Sequence, residues 1–587
     1  MADAKCKGCS WRAWLALGLL APGIVSSACS GSNQTRVAKA EGGDAGDAGA
    51  VSSSGAGRGG SSGNAGSGGD AGKTAAMPNA GEGGSSVGGN EGGAAGSNTA
   101  MGGTTSSAAA GAAGSGSDGG SVVTPCQDPL VFADSALELA VRTYNNLPVG
   151  PISAGVAATI TQVQAPSRNI TNLDGLQCLP HLRVLGAQSN VITDLAPLTD
   201  LKELEELALD NNSVKSLTPM ANLKLLTELS IYNNPIADLT PLTNTESLTS
   251  LVAGSTLIAD LTPLSGLTEL TYLDVSAAKL TSVGPLANSK KLTHLWIGNN
   301  LIDDLTPLAA LSQLQVLNVA AAAVNDLTPL AELTKLEQLY LSQNEIGDLA
   351  PLVKLTNLRT LELAENAISD ITPVATLTAL QDLQLTGNLL TSIDALAPLT
   401  ELTGLAVGSN QLTNISVVSK FPELTSLEAS QNKLQDLSPL TNLTKLTSAA
   451  LSTNQISDLT PLAGLKDLSH LFFTSNKVSD LTPLQSLGSL LILLCGDNQI
   501  QDLTPLAKNT GLDSGDVVNL QNQRTAIDCT AQATNIATLK SRDVNLTSTA
   551  RSLESNWAAK PQPPLQKASV PSLGPLARLL LHVHHVG

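Results

Sequence analysis

Asparagine recurs on one 22-residue grid through most of this 587-residue chain. Asn190, Asn212, Asn234, Asn300, Asn344, Asn366, Asn388, Asn410, Asn432, Asn454, Asn476 and Asn498 all fall on it, and the 308 residues from 190 to 498 hold 14 periods without an insertion. Counted from each slot, apolar residues stand at −8, −5, −3, +2, +5, +8 and +11; for slot 212 these are Leu204, Leu207, Leu209, Val214, Leu217, Met220 and Leu223. Proline occupies +7 in 13 of the 15 slots, with Ala395 and Val417 as the exceptions. An earlier unit (Ile160, Val163, Ala165, with Arg168 in the slot) brings the array to 16 repeats.

Apolar residues at −5 and −3 have the period of a strand with one buried face. One strand per 22 residues leaves too little chain for a long crossover helix. Coiling the chain and stacking each strand on its predecessor resolves this, with a parallel sheet on one side and short turns on the other. The LTPL segments, such as Leu305 to Leu308, supply those turns, with Thr at +6 expected to cap and Pro at +7 to open a short helical turn. The slot Asn should point inward and satisfy backbone groups of adjacent coils. Thr256, Ala278 and Ala322 interrupt the ladder, so these coils are expected to be softer.

The pattern L-x-x-L-x-L-x-x-N-x-I-x-D-L-x-P-L resembles the bacterial leucine-rich repeat of the internalin-like class, over residues 127–550. That resemblance implies an α/β solenoid, a horseshoe with a parallel β-sheet on its concave face and short 3-10 turns on its convex face. It also implies that the strand side is the binding surface.

A hydrophobic coil needs closed ends. Residues 123–159 are expected to form an N-terminal helical cap, with a helix from Phe132 to Tyr144 placing Leu137, Val141 and Tyr144 on one face. The array runs over 160–510, and residues 511–550, where the register slips, resemble the terminal unit of exported bacterial leucine-rich proteins. Cys126 and Cys178 flank the first cap and can pair after export. Cys495 sits at an inward position and reads as a small hydrophobe, with a bridge to Cys529 as the alternative.

Ahead of the array, Lys5, Lys7 and Arg12 precede an apolar run from Ala13 to Val25, too short to span a bilayer but suited to a signal peptide over 1–28. Ser27-Ala28-Cys29 resembles a lipobox, departing from the pattern at Ser26, where Leu is usual. Cys29 is thus the candidate lipidation site, and cleavage after Ala28 with simple secretion is the alternative. Residues 29–122, rich in Gly, Ser and Ala, read as a disordered linker, and 551–587 as a disordered tail. The G-x-G-x-x-G of Gly114, Gly116 and Gly119 has neither a strand before it nor a helix after it, so it carries no nucleotide-binding argument. The expected localisation is the cell envelope, as an outer-membrane lipoprotein or surface protein, with membrane contact only through the anchor.

The chain has 32 Lys plus Arg against 50 Asp plus Glu, a formal charge of −18, which argues against nucleic acid as a partner. No catalytic constellation, cofactor motif or metal-ligand spacing stands out; His582, His584 and His585 lie in the tail, and the Asp at +4 of eleven slots, an acidic ladder that could attract calcium, reads better as a solvated turn residue that also favours local hydrogen bonding. The outward positions −6, −4 and −2 are more informative. Across 16 slots they hold no Lys or Arg and seven acids: Glu206, Asp210, Glu228, Asp274, Glu362, Asp382 and Glu428. They also hold Tyr232, Tyr272, Trp296, Tyr340 and Phe472, five of the seven aromatics of the array. Tyr232, Tyr272, Asp274, His294, Trp296 and Tyr340 form the candidate contact patch, beside a groove along Gly254, Ser276, Gly298 and Ala320. Trp296 and Tyr340 are expected about 10 Å apart in one column. Exposed rings beside acids suit a basic protein segment. The same patch would serve a carbohydrate- or matrix-binding adhesin, and an architectural surface protein with no ligand is the third reading.

Overall fold

The computed structural model describes residues 125–547. The leader, Cys29, the linker to 122, the G-x-G-x-x-G segment and the tail over 551–587 lie outside the described residues.

Eighteen three-residue strands, from β1 (Gln162–Gln164) to β18 (Asn545–Thr547), form one sheet in which each pairs in parallel with the next. Residues 22 apart stand in register, as Leu273 does with Leu295 and Leu295 with Leu317. The middle residue of each strand points into the coil, and the Leu and Ile side chains from the other six apolar positions meet it there, buried in one continuous core. Each fully buried Leu contributes roughly 1.5–3 kcal/mol, so a period of 22 with seven apolar positions is self-supporting only when coils stack.

The slot Asn holds the coils in step. Asn300 Nδ2 donates to the carbonyls of Val275 and Ile297, each at 2.9 Å, while its Oδ1 accepts from the Leu280 N–H at 3.0 Å. The same three-way bridge recurs at Asn212, Asn234 and Asn388. The residue before the slot is left-handed in coil after coil, with φ of 55° at Asn211 and 56° at Asn299, and also before the slots without Asn, with φ of 49° at Ala277 and 53° at Ala321. At the interruption Thr256 recovers one bond, its hydroxyl donating to Ala253 O at 2.8 Å, while Ala278 and Ala322 have no side-chain group to offer. Ala322→Asn should therefore add stability of about 1–2 kcal/mol by supplying an acceptor for the Ile302 N–H and donors for the Ile297 and Val319 carbonyls. A urea midpoint that does not rise would show this coil to be satisfied already.

Three features depart from the sequence reading. The turns are capped by Asp at +4 and not by Thr at +6. Asp238, Asp304 and Asp458 each accept the N–H two residues on at 2.8 Å, and bonds from the Thr hydroxyls first, with these N–H groups second, hold the three carboxyls below their usual range. A carboxylate two residues ahead closes an Asx turn that a β-branched hydroxyl inside the turn cannot. At the N-terminal cap, helix α1 spans Ser135–Asn145, not Phe132 to Tyr144, because the Asp134 side chain accepts from the Ala136 and Leu137 N–H groups and fixes the start. Leu137, Ala140 and Val141 are its buried residues, and Tyr144 is exposed, its hydroxyl donating to Gln162 Oε1 at 3.0 Å on the edge strand β1. At the far end the sheet continues through β17 (Val517–Asn519) and β18, beyond the 22-residue register. Gln523 there replaces the slot Asn, with Nε2 donating to Cys495 O at 2.9 Å and Oε1 accepting from Ile500 N at 3.0 Å. The longer side chain spans a longer repeat.

Cys126 and Cys178 form a disulfide across 52 residues, with Cα atoms 5.5 Å apart. Cys495 and Cys529 are free. The Cys495 thiol faces inward and donates to Asn519 O, so its alternative bridge does not form. No helix among the described residues is long and apolar enough to cross a membrane.

Candidate functional site

The outward residues of β6 (Tyr272–Asp274) to β11 (Asp382–Gln384) lie in columns along the sheet. Tyr272 stands in register with His294 on β7 (His294–Trp296), and Asp274 with Trp296. Trp296 faces Asn318 of β8 (Val316–Asn318), which faces Tyr340 of β9 (Gln338–Tyr340), which faces Glu362 of β10 (Thr360–Glu362).

The rings pair. Tyr272 and His294 stack with centroids 5.8 Å apart at an interplanar angle of 27°. Trp296 and Tyr340 stack at 5.5 Å and 28°, although their strands are two apart. Neighbouring strands are ~4.8 Å apart, so both rings lean over Asn318; they do not stand ~10 Å apart as the column spacing alone implies. Offset stacks of this kind contribute about 0.5–1.5 kcal/mol beyond the area they bury. The indole Nε1 of Trp296 is buried without a hydrogen-bond partner. Tyr232 shares no ring contact with the group; it is 38% exposed, and its N–H donates to Asp210 Oδ1 at 3.0 Å. Phe472, expected to be displayed, is 6% exposed. It lies edge-on to His470 on β15 (His470–Phe472), in register with Leu494 on β16 (Ile492–Leu494), so apolar neighbours enclose it.

The expected groove beside the rings is partly filled. Asp274 Oδ1 accepts from Ser276 N (2.9 Å) and Oγ (2.6 Å), and Asn318 Oδ1 accepts from Ala320 N at 3.0 Å. A Cβ at Gly254 would approach Asp274 Oδ1 to 3.0 Å, and one at Gly298 would meet Asn318 Oδ1 at 2.5 Å. These glycines make room for polar side chains that fold over the strand ends. Glu428 is tied down likewise, its Oε2 accepting from Gly408 N at 2.8 Å and its Oε1 from Ser430 N at 2.9 Å.

Burial raises the carboxyls of Asp210, Asp274, Asp382 and Glu428 above their ordinary values. Glu362 is raised to about 7, by burial first and by the charge of Asp382 second. Tyr340 is pushed up to about 12 by burial and by the charges of Glu362 and Asp382. His294 is shifted down by burial, opposed by Glu337. Lys291–Glu269, Lys354–Glu332 and Lys445–Glu423 pair beside the sheet instead of on it.

Glu362 makes stability depend on pH. Its folded value lies above that of the unfolded chain, so the folded state holds the proton more tightly. Stability is then greatest below about 4.5 and falls as pH rises to about 7. Allowing for partial exposure, the loss is on the order of 2 kcal/mol. Urea midpoints at pH 5 and pH 8 should show wild type falling by this much relative to Glu362→Gln; parallel falls would refute it.

Reading the sequence alone placed Glu362, Asp382 and Asn318 outside the candidate site. Stepping 22 residues at a time from Asp274 reaches Asn318 and Glu362, so the repeat itself carried that information. Among the described residues, no group of three or more His, Cys, Asp or Glu is arranged to hold a metal ion.

The family described as leucine-rich repeats (2 copies) matches residues 334–376 and 356–398. An internalin from Listeria monocytogenes superposes with a TM-score of 0.51 at 31% identity, over 60% of this chain and 98% of that one. A leucine-rich repeat protein of Leptospira interrogans gives 0.55 at 21% identity, over 67% and 97%. The plant peptide hormone receptor RGFR1 in complex with RGF2 gives 0.53 at 20% identity, over 67% and 68%. No curated protein matches by sequence.

Proposed function

Since the chain belongs to the leucine-rich repeat proteins, with internalin-like structural neighbours, we propose that it is a non-enzymatic protein-binding scaffold displayed on a bacterial envelope. It recognises a partner with an exposed basic segment through the strand face from β6 to β11. One observation carries this reading: the outward positions hold acids and paired rings but no Lys or Arg, so the face lacks a cation of its own. Buried carboxylates without a cation cost stability, and a basic partner offsets that cost. The plant receptor with RGF2 bound has the same fold, which accommodates such a role.

The test is capture from envelope and culture fractions by the full chain beside Trp296→Ala/Tyr340→Ala, with equal folding established by circular dichroism. A basic protein partner lost from the double variant supports the reading; equal retention by both refutes this face. Capture of a glycan alone would favour the carbohydrate alternative. Envelope display rests on the leader and on Cys29, and a mature N-terminus at Cys29 without a lipid mass would remove the anchor.

A further inference from the structure

Five residues on five consecutive strands form one column: Asp274, Trp296, Asn318, Tyr340 and Glu362. The order is acid, ring, amide, ring, acid, and it is symmetric about Asn318. The two rings close over the amide at 5.5 Å, yet the strands that carry them are two spacings apart, about 10 Å. Turning both rings upright about their own side-chain torsions, with the Tyr340 hydroxyl released from Gln338 Oε1 (3.1 Å), would open a slot between them. A flat group stacked at van der Waals distance from both faces needs about 7 Å between the rings, which the strand spacing supplies.

From this geometry we infer that the Trp296–Tyr340 stack is the closed form of a slot for an arginine side chain of the partner. The inference rests on the acidic-face reading above and adds the residue type that the face selects. Three features point to a guanidinium. It is planar, so it can lie between two rings, whereas an ammonium is compact and more strongly hydrated. It is cationic, and the carboxyls of Asp274 and Glu362 stand next to the two rings in the same column. A peptide also brings carbonyl oxygens, and the column has donors waiting for them. Trp296 Nε1 is buried without a partner while the slot is closed, and Asn318 commits its Oδ1 to Ala320 N, leaving its NH2 to donate. Opening the slot releases the indole N–H to an acceptor, so the closed stack retains a cost that ligand removes.

The test is fluorescence anisotropy of the full chain with three labelled octapeptides in which glycine alternates with arginine, lysine or citrulline. The arginine peptide should bind about tenfold more tightly than the lysine peptide, and Tyr340→Leu or Trp296→Leu should each erase that preference. Circular dichroism keeps loss of fold apart from loss of the slot. Equal affinity for arginine and lysine peptides, untouched by the ring variants, would overturn the slot while leaving the acidic face standing. Citrulline binding as tightly as arginine would overturn the assignment of a cation. No binding of either basic peptide would remove both the slot and the reading beneath it.

Discussion

Asn300→Ala should destabilise the array by about 3 kcal/mol, a large fraction of what a domain has to spare. The residue stands alone, because the slots on either side are Ala278 and Ala322 and the one before them is Thr256. Removing it strips two carbonyls of a buried donor and leaves the Leu280 N–H without its acceptor. In a solenoid each coil is supported by its neighbours, so four successive coils without the bridge weaken as a unit. Hydrogen exchange should rise across residues 258–324 and remain slow over 434–500. A loss below about 1 kcal/mol, or exchange raised evenly along the chain, would mean that stacking alone holds these coils.

Cutting the N-terminal staple should cost still more locally. The Cys126–Cys178 disulfide closes 52 residues that include α1 and β1, and loop-closure entropy sets its contribution near 4 kcal/mol. Asp134 adds a second tie, since its Oδ2 accepts from the Thr171 N–H at 2.9 Å while Oδ1 caps the helix. Cys126→Ser/Cys178→Ser should therefore loosen the cap and leave the far coils as they were. An early unfolding step should appear in calorimetry, with exchange rising in β1 and with β15 and β16 unchanged. A single unshifted transition would show that burial of Leu137, Ala140 and Val141 suffices.

Much of this was legible because a period of 22 fixes register: any residue's lateral neighbours stand 22 positions away. That arithmetic locates the strands, the inward Asn and the column from Asp274 to Glu362. It does not say how long side chains lean. Trp296 and Tyr340 meet because aromatic faces attract across the smaller Asn318, and the Asp274 carboxylate, still in the column, turns along its own strand to accept from Ser276. Phe472 was misplaced for the opposite reason, since an outward position is covered when its neighbours are apolar. The cap belongs to the Asp at +4, expected only to bond locally, and not to the Thr at +6, because both are good capping residues and only backbone geometry tells which of them reaches the free N–H.

Two acidic surfaces could attract a basic partner, the strand face and the Asp ladder of the turns, and charge-matched variants separate them. Asp274→Asn/Glu362→Gln/Asp382→Asn and Asp304→Asn/Asp326→Asn/Asp370→Asn each remove three carboxylates. Asn at 274 and at the turn sites keeps the oxygen that accepts from the backbone. Binding of polylysine by the full chain, titrated at low and moderate salt, is the decisive measurement. If the strand face is the recognition surface, its triple variant loses about tenfold or more in affinity while the turn variant stays within about twofold of wild type. Equal losses in the two, or a larger loss in the turn variant, would contradict it.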